Sequence, residues 1–535
     1  MRPPQRQLAQ PGRISAPNGG MNAIDGLFDL NPKFNIFSYN LIPTQYGLKV
    51  RSGYQEWCTN LTGTGGVRTI IPVKGQPEAG THDYLFAATS GGVYDVSSSS
   101  NAPTKVVTFA DTTGNAGWGS WTNFTTVAGQ YILHCDEMNG YRHFKPATPA
   151  WTEIAAGVGA GDINGADPTD FSFVVAHKGR LWFILRDSTL SYYLPAGQLT
   201  GTVTEFDWGN KFKMGGSLAA LYSYTVDGGS GIDDLLIGVS TAGDVVVFQG
   251  DDPDFASEWS QRGSWYIGTP PVGRRIADSF GGDLILLSVF GAIPFSRLMA
   301  GTDKMDESAY LTRNISILIN GEMQELRTDH GWEIKTNPTD STIIIAVPKQ
   351  TGSDWKQYVF HTGTRGWAIL KDLPFQTGDT WKGILYSGTD DGRVMICTGT
   401  TDGADLDGLG AVAIEFSLLT AFSELGAGGL HKMMNFVRPY FLANTDPSYT
   451  VKVKYDFDLT DITNTAVILP PTDGPIWDVA LWDGAIWGGT FASPSIETRG
   501  TADMGVHAAI AMRGTSSVST TLLGFDFTFQ SGGFL

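Results

Sequence analysis

The chain predicts an all-β protein, a β-propeller of about six or seven irregular blades joined to a β-rich platform domain. Three observations point there. An apolar run, a short turn centred on Gly and a second apolar run recur about seven times between residues 84 and 397. The composition, with 67 Gly, 12% aromatic and 17% charged residues, suits many turns joining half-buried strands. Amphipathic periodicity of helical spacing is scarce.

In chain order the hairpins are YLFAATSGGVYDV (84–96), YILHCDEMNGYRHF (131–144), FSFVVAHKGRLWFIL (171–185), LLIGVSTAGDVVVFQ (235–249), LILLSVFGAIPFSRL (284–298), YVFHTGTRGWAIL (358–370) and ILYSGTDDGRVMIC (384–397). A Gly or Asn-Gly pair supplies the positive φ of a tight hairpin turn. One hairpin cannot bury both faces, so the copies must pack against each other, radially or in a stack. The turn glycines, Gly92, Gly140, Gly179, Gly243, Gly291, Gly366 and Gly392, are unevenly spaced. Only some intervals approach the roughly 40–50 residues of a four-stranded blade, and WD and kelch signatures are missing. A large β-sandwich or two stacked β domains would show the same hairpins. One helix is expected, AYLTRNISILINGEMQEL at 309–326, with Asp306 and Ser308 as caps.

At 535 residues the chain exceeds the roughly 250–300 at which a single core stops growing. It divides into an N-terminal arm with platform strands (1–66), a propeller-like region (67–407) and a C-terminal β domain (408–535) that shares the platform. In the last region AIEFSLLTAF, NFVRPYFLA, YTVKVKYDFDL and LLGFDFTFQ alternate as strands do. Trp477, Trp482 and Trp487 read as core or interface anchors rather than a sugar platform. The arm is poor in core of its own, and is expected to pack on a neighbouring subunit or ring.

Net charge is −18, and residues 1–66, with six Lys or Arg against three Asp or Glu, stand at +3, so the remainder carries −21. Such acidity argues against tight nucleic-acid binding, which depends on neutralising phosphates. The acids gather in expected loops, with Asp251, Asp252, Asp254, Asp390 and Asp391 the leading candidates to line an acidic lumen.

Chemistry is absent from the motifs. The eight His residues show no HExxH or HxH spacing, and no GxSxG elbow occurs. Cys58, Cys135 and Cys397 are too few and scattered for a disulfide framework or zinc site, and read as buried thiols. GTDDGRV (388–394) departs from the sialidase Asp-box and is explained by a turn at Asp391-Gly392. DDPDF (251–255) lacks the Gly and Glu of a calcium loop and reads as a turn rather than a cation site. GAGDING (159–165) reads as a linker between blades. The expectation is no catalytic residues, no metal and no cofactor. No secretory signal is visible and no run approaches the 18 apolar residues of a membrane span, so synthesis in cytoplasm is expected.

Residues 16–57 are more distinctive. Asn40, Pro43, Gly47, Leu48, Arg51 and Gly53 fit the pattern N-x-x-P-x-x-x-G-L-x-x-R-x-G, followed by Trp57. This resembles the opening of the tail nozzle or tail hub proteins of short-tailed bacteriophages, also called tail tubular protein B. The resemblance covers the N-terminal quarter, and the rest only as architecture, since no family pattern follows residue 400. It implies a virion structural protein, a homo-oligomeric and hexameric ring that continues the portal channel and gates and conducts double-stranded DNA during ejection. It also implies an adaptor or portal-connector partner, laterally bound tail fibres or spikes, and residence in the virion tail. Two other classes fit the residues: a propeller enzyme or lectin acting on glycans, and a propeller scaffold for protein partners.

Overall fold

Strands apolar on both faces have to be covered on both faces, and these are covered by one another. A computed structural model describes residues 9–75, 82–225, 234–255, 257–301, 307–445, 447–460, 462, 499–500 and 503–532. Among them, seven antiparallel sheets follow one another as blades 1 to 7, at 67–108, 119–153, 171–207, 218–266, 277–294, 333–371 and 377–397. Each innermost strand packs on the next blade, and that of blade 7, Thr377–Trp381, returns to that of blade 1, Val67–Val73. The chain is a closed seven-bladed β-propeller. Closure is fastened by sequence from outside the ring: Gln55–Cys58 pairs with Val394–Cys397 as the fourth strand of blade 7. Residues 55–58, placed by sequence with the arm, are therefore a propeller strand.

All seven hairpins are present, one per blade, and their uneven spacing has a structural reason. In blades 1, 2, 4, 5 and 7 the hairpin joins the second and third strands; in blade 3 it joins the first two, and in blade 6 the last two. The second turn of blade 3 lies at Asp187, a non-Gly residue with φ +52°, and so carries no glycine signal. Residues 159–165 do lie between blades, adding a short parallel pair, Ile163–Asn164 with Gly201–Thr202.

The helix is shorter than its periodicity suggests. Arg313–Ile315 is a 3-10 turn and the α-helix is Ser316–Leu326, with no side-chain cap; Asp306 lies outside the described residues. Blade 5 has three strands, and this helix packs against the third, Gly291–Pro294, in the place of a fourth, burying Ile319 and Met323.

Large aromatics fill the seams between blades. Trp182 stacks on Trp259 at 5.8 Å and Phe248 on Trp259 at 5.5 Å, while Trp208, fully buried, donates its indole N–H to Ser191 Oγ at 2.8 Å. A side chain at Gly238 would overlap the Trp208 ring, so the strand beneath it must be bare there.

The platform is a two-sheet sandwich built from both ends of the chain. One sheet holds Gln10–Ser15, Leu41–Thr44, Gly47–Val50, Lys432–Ala443, Arg499–Gly500 and Thr520–Ser531; the other holds Asn35–Tyr39, Val412–Thr420, Ser448–Tyr455 and Ala508–Ser516. Leu48, Val437, Phe441, Met512, Leu522 and Phe525 meet between them. The second sheet runs on into blade 6 through Tyr39 and Ile369. The described part of the arm is thus bound within its own chain, with Gln10–Ser15 along Thr520–Ser531. Trp477, Trp482 and Trp487 lie outside the described residues.

Candidate functional site

Two places gather polar side chains from distant parts of the chain. The first is the joint between platform and propeller, where the Asn40–Gly53 pattern sits. The chain changes sheet at Asn40, whose φ of +59° a short amide side chain tolerates. Its N–H donates to Ile369 O of blade 6 at 2.9 Å, and its Nδ2 to Glu415 O at 2.8 Å. Its Oδ1 accepts from Lys371 N at 2.8 Å and from Arg51 Nε at 3.0 Å. Arg51, 3% exposed, then grips Asp402 through both nitrogens, at 2.8 and 2.6 Å, and reaches Lys371 O at 3.2 Å. Planar forks of this kind fix orientation as well as charge. Gly47 and Gly53 are bare because a Cβ would overlap the carbonyl oxygens of Leu522 and Thr401. Pro43 pairs with Leu48 across the hairpin.

The second place is the propeller axis. Arg275 enters ahead of the blade 5 strand and bonds to four other blades. Its Nη2 donates to Arg68 O and Thr69 Oγ1, both at 2.6 Å, its Nε to Gly119 O at 3.2 Å, and its Nη1 to Thr377 Oγ1 at 2.7 Å and Glu333 Oε2 at 3.3 Å. The guanidinium lies 5.1 Å from the Trp118 ring centre. Arg274 donates to Leu218 O and Ala219 O of blade 4, and stands 3.8 Å from Glu137, which His330 also approaches at 3.4 Å. Burial alone would raise the Glu137 carboxyl, but the His330 bond and the two arginine charges outweigh it and hold it below its ordinary value. On the same inner strands Lys335 pairs with Asp379 at 2.7 Å, beside Trp121. These side chains occupy the axis, so the propeller's own centre is not a passage. Over them lies a recess of about 300 Å³ lined by Arg68, Trp118, His330, Lys349, Gln376 and Asp390.

The five candidate lumen acids do not form one surface. Residues 251–258 join the third and fourth strands of blade 4, and 389–393 join the second and third of blade 7, so strand alternation puts them on opposite faces. Each is also partnered. Asp251 meets Lys178 at 3.1 Å, Asp252 meets Arg180 at 2.9 Å, and Asp254 accepts from Tyr193 at 2.5 Å. Asp390 meets Lys349 at 3.0 Å and Asp391 meets Arg393 at 2.6 Å. Asp391 has a half-exposed side chain, and against what desolvation it does undergo Arg393 and Thr389 hold its carboxyl below the usual range, which leaves it a turn-forming residue.

The cysteines are free, with burial pushing the thiols of Cys58 and Cys397 up to about 11. Among the described residues no group of three or more His, Cys, Asp or Glu could hold a metal, and no helix is long and apolar enough to cross a membrane. The axial arginines escaped the sequence reading. Their signal was a twin Arg between PPVG and the strand IADSF, in a protein short of cations.

No family profile matches the chain, and no curated protein does. Solved structures do. The β-propeller domain of Myceliophteria thermophila Cps50 (Swd1) is 11% identical with a TM-score of 0.38, covering 65% of this chain and 100% of that one. A putative 6-phosphogluconolactonase from Bacteroides uniformis is 12% identical with a TM-score of 0.34, covering 61% and 89%.

Proposed function

We propose that the protein is a non-catalytic virion component, the nozzle or hub ring at the distal end of a short phage tail, gating and conducting DNA during ejection. One observation carries the reading. The residues that bear the resemblance, Asn40 to Gly53, are engaged in locking a propeller to a sandwich made from both chain ends. A pattern wholly occupied by a rigid joint supports an architectural part rather than an active site.

In this reading about six copies close into a ring, held above by an adaptor or portal connector and flanked by fibres or spikes. Since Arg275 and Lys335 occupy the propeller axis, the DNA path runs along the ring axis between subunits. A net charge of −18 supports sliding without deep binding minima. Repulsion has to come from the summed surface charge, because the candidate aspartates are each paired with a cation or a tyrosine. Mass spectrometry of virions made from the encoding genome should find the chain at a few copies per particle, released with the tail. Its absence from particles, or turnover of a polysaccharide by the purified chain, would contradict the reading.

A further inference from the structure

We propose that the recess over the propeller axis binds a small, hydroxyl-rich carboxylate about the size of a uronic acid. The recess is about 300 Å³, at the lower end of the range of small-ligand sites, which suits one monosaccharide. The charges that line the recess and those beneath it are mostly paired. Lys349 takes Asp390, Arg274 and His330 take Glu137, and Arg275 takes Glu333. Arg68 has no carboxylate within ion-pair distance among the described residues, and feels Asp136 and Glu137 only from farther off.

Arg68 is also aimed. Its Nη1 donates to Gly114 O at 2.9 Å and Ala116 O at 2.6 Å, which fixes the guanidinium plane and leaves the Nε and Nη2 edge without a partner among the described residues. That edge is the one a carboxylate engages with two parallel bonds. Gly65, with φ +73°, lies so close to this edge that a Cβ there would stand 2.6 Å from Nη2. Gln376 donates to Gly65 O at 2.9 Å, which leaves its amide oxygen for a ligand hydroxyl, and Asn115 and His330 add mixed donors and acceptors. Trp118, nearly buried, forms the apolar floor. In a chain of net charge −18, one oriented cation without an ion-pair partner among the described residues, set among hydroxyl-seeking groups, selects an anionic ligand by chemistry.

The test is calorimetric titration of the full chain with glucuronate, with glucose as the neutral counterpart. Glucuronate should bind about tenfold or more tighter than glucose, and Arg68→Met should remove most of that difference, while Arg68→Lys retains part of it. Asp390→Asn, on an exposed side chain, should tighten glucuronate binding by removing the one repelling charge at the rim. That variant decides the matter if Arg68→Met fails to fold. Equal binding of both sugars, no binding of glucuronate, or an unchanged or weakened affinity in Asp390→Asn would overturn the proposal.

Discussion

At the scale of single residues, the joint turns on Arg51. Arg51→Met would leave Asp402 buried without its partner, a loss of about 3–5 kcal/mol, and urea unfolding should show it. Replacing both with apolar residues should recover most of that, because the cost lies in the orphaned charge. A second test uses a buried histidine. His177, 2% exposed, is held down to about 4, chiefly by burial, while its Nδ1 meets Ser223 Oγ at 2.8 Å. In the unfolded chain it titrates near about 6.5, so the unfolded state takes up the proton first as pH falls. The stability present above about 6.5 is then lost toward pH 4, on the order of 3 kcal/mol, and His177→Asn should flatten that part of the profile. An equal slope in the variant would place the pH dependence elsewhere. The pattern around Arg51 was legible in sequence as residue types and spacing. Its partners were not, because Asp402, Ile369 and Glu415 lie hundreds of residues away and nothing local marks them.

At the scale of elements, strands were legible because Gly turns and β-branched runs act locally. Blade membership was not, since it depends on which strand of a blade a given hairpin supplies. Blade 3 shows the difficulty: its second turn uses Asp187 in the left-handed region, and only a contact map separates it from a bend. The helix is legible in its apolar residues, but its expected first two turns, 309–315, are not α-helical and end in a 3-10 segment packed under Gly291, where Thr312 Oγ1 accepts from Ala292 N at 3.2 Å. The strand Gln55–Cys58 gives the sharpest element-level test. Glu56 N donates to Ala404 O at 2.9 Å, and its carboxylate meets Arg393 at 2.8 Å. Glu56→Pro removes both, at about 2–3 kcal/mol. Hydrogen exchange should then quicken in blades 7 and 1 together, since both lean on the closing strand. Exchange quickened in blade 7 alone would mean the ring closes without it.

At the scale of the molecule, acidity and fold have separate consequences. The acidic clusters read in sequence as one potential surface were divided by topology, which sends the 251–254 and 389–393 loops to opposite faces and brings a cation to four of the five candidates within 3.1 Å. Charge along a sequence says nothing of partners across it, and Lys178 and Arg180, in the neighbouring blade's hairpin turn, are the example. What survives is a long-range field and a filled propeller axis, and under the proposed function both would direct a DNA path outside the propeller. Lys substitutions at Asp390 and Asp391 should slow DNA release in low salt, with relief on adding salt, only if that face lines the ring's lumen. Ejection kinetics at two ionic strengths would read this, and normal, salt-independent release would place the face outside. The central claim, a ring-forming architectural part, is met most directly by electron microscopy of the purified full-length chain across a concentration series. A closed ring of about six copies enclosing a channel wide enough for duplex DNA is the expected image, and a lone monomer at every concentration would contradict it.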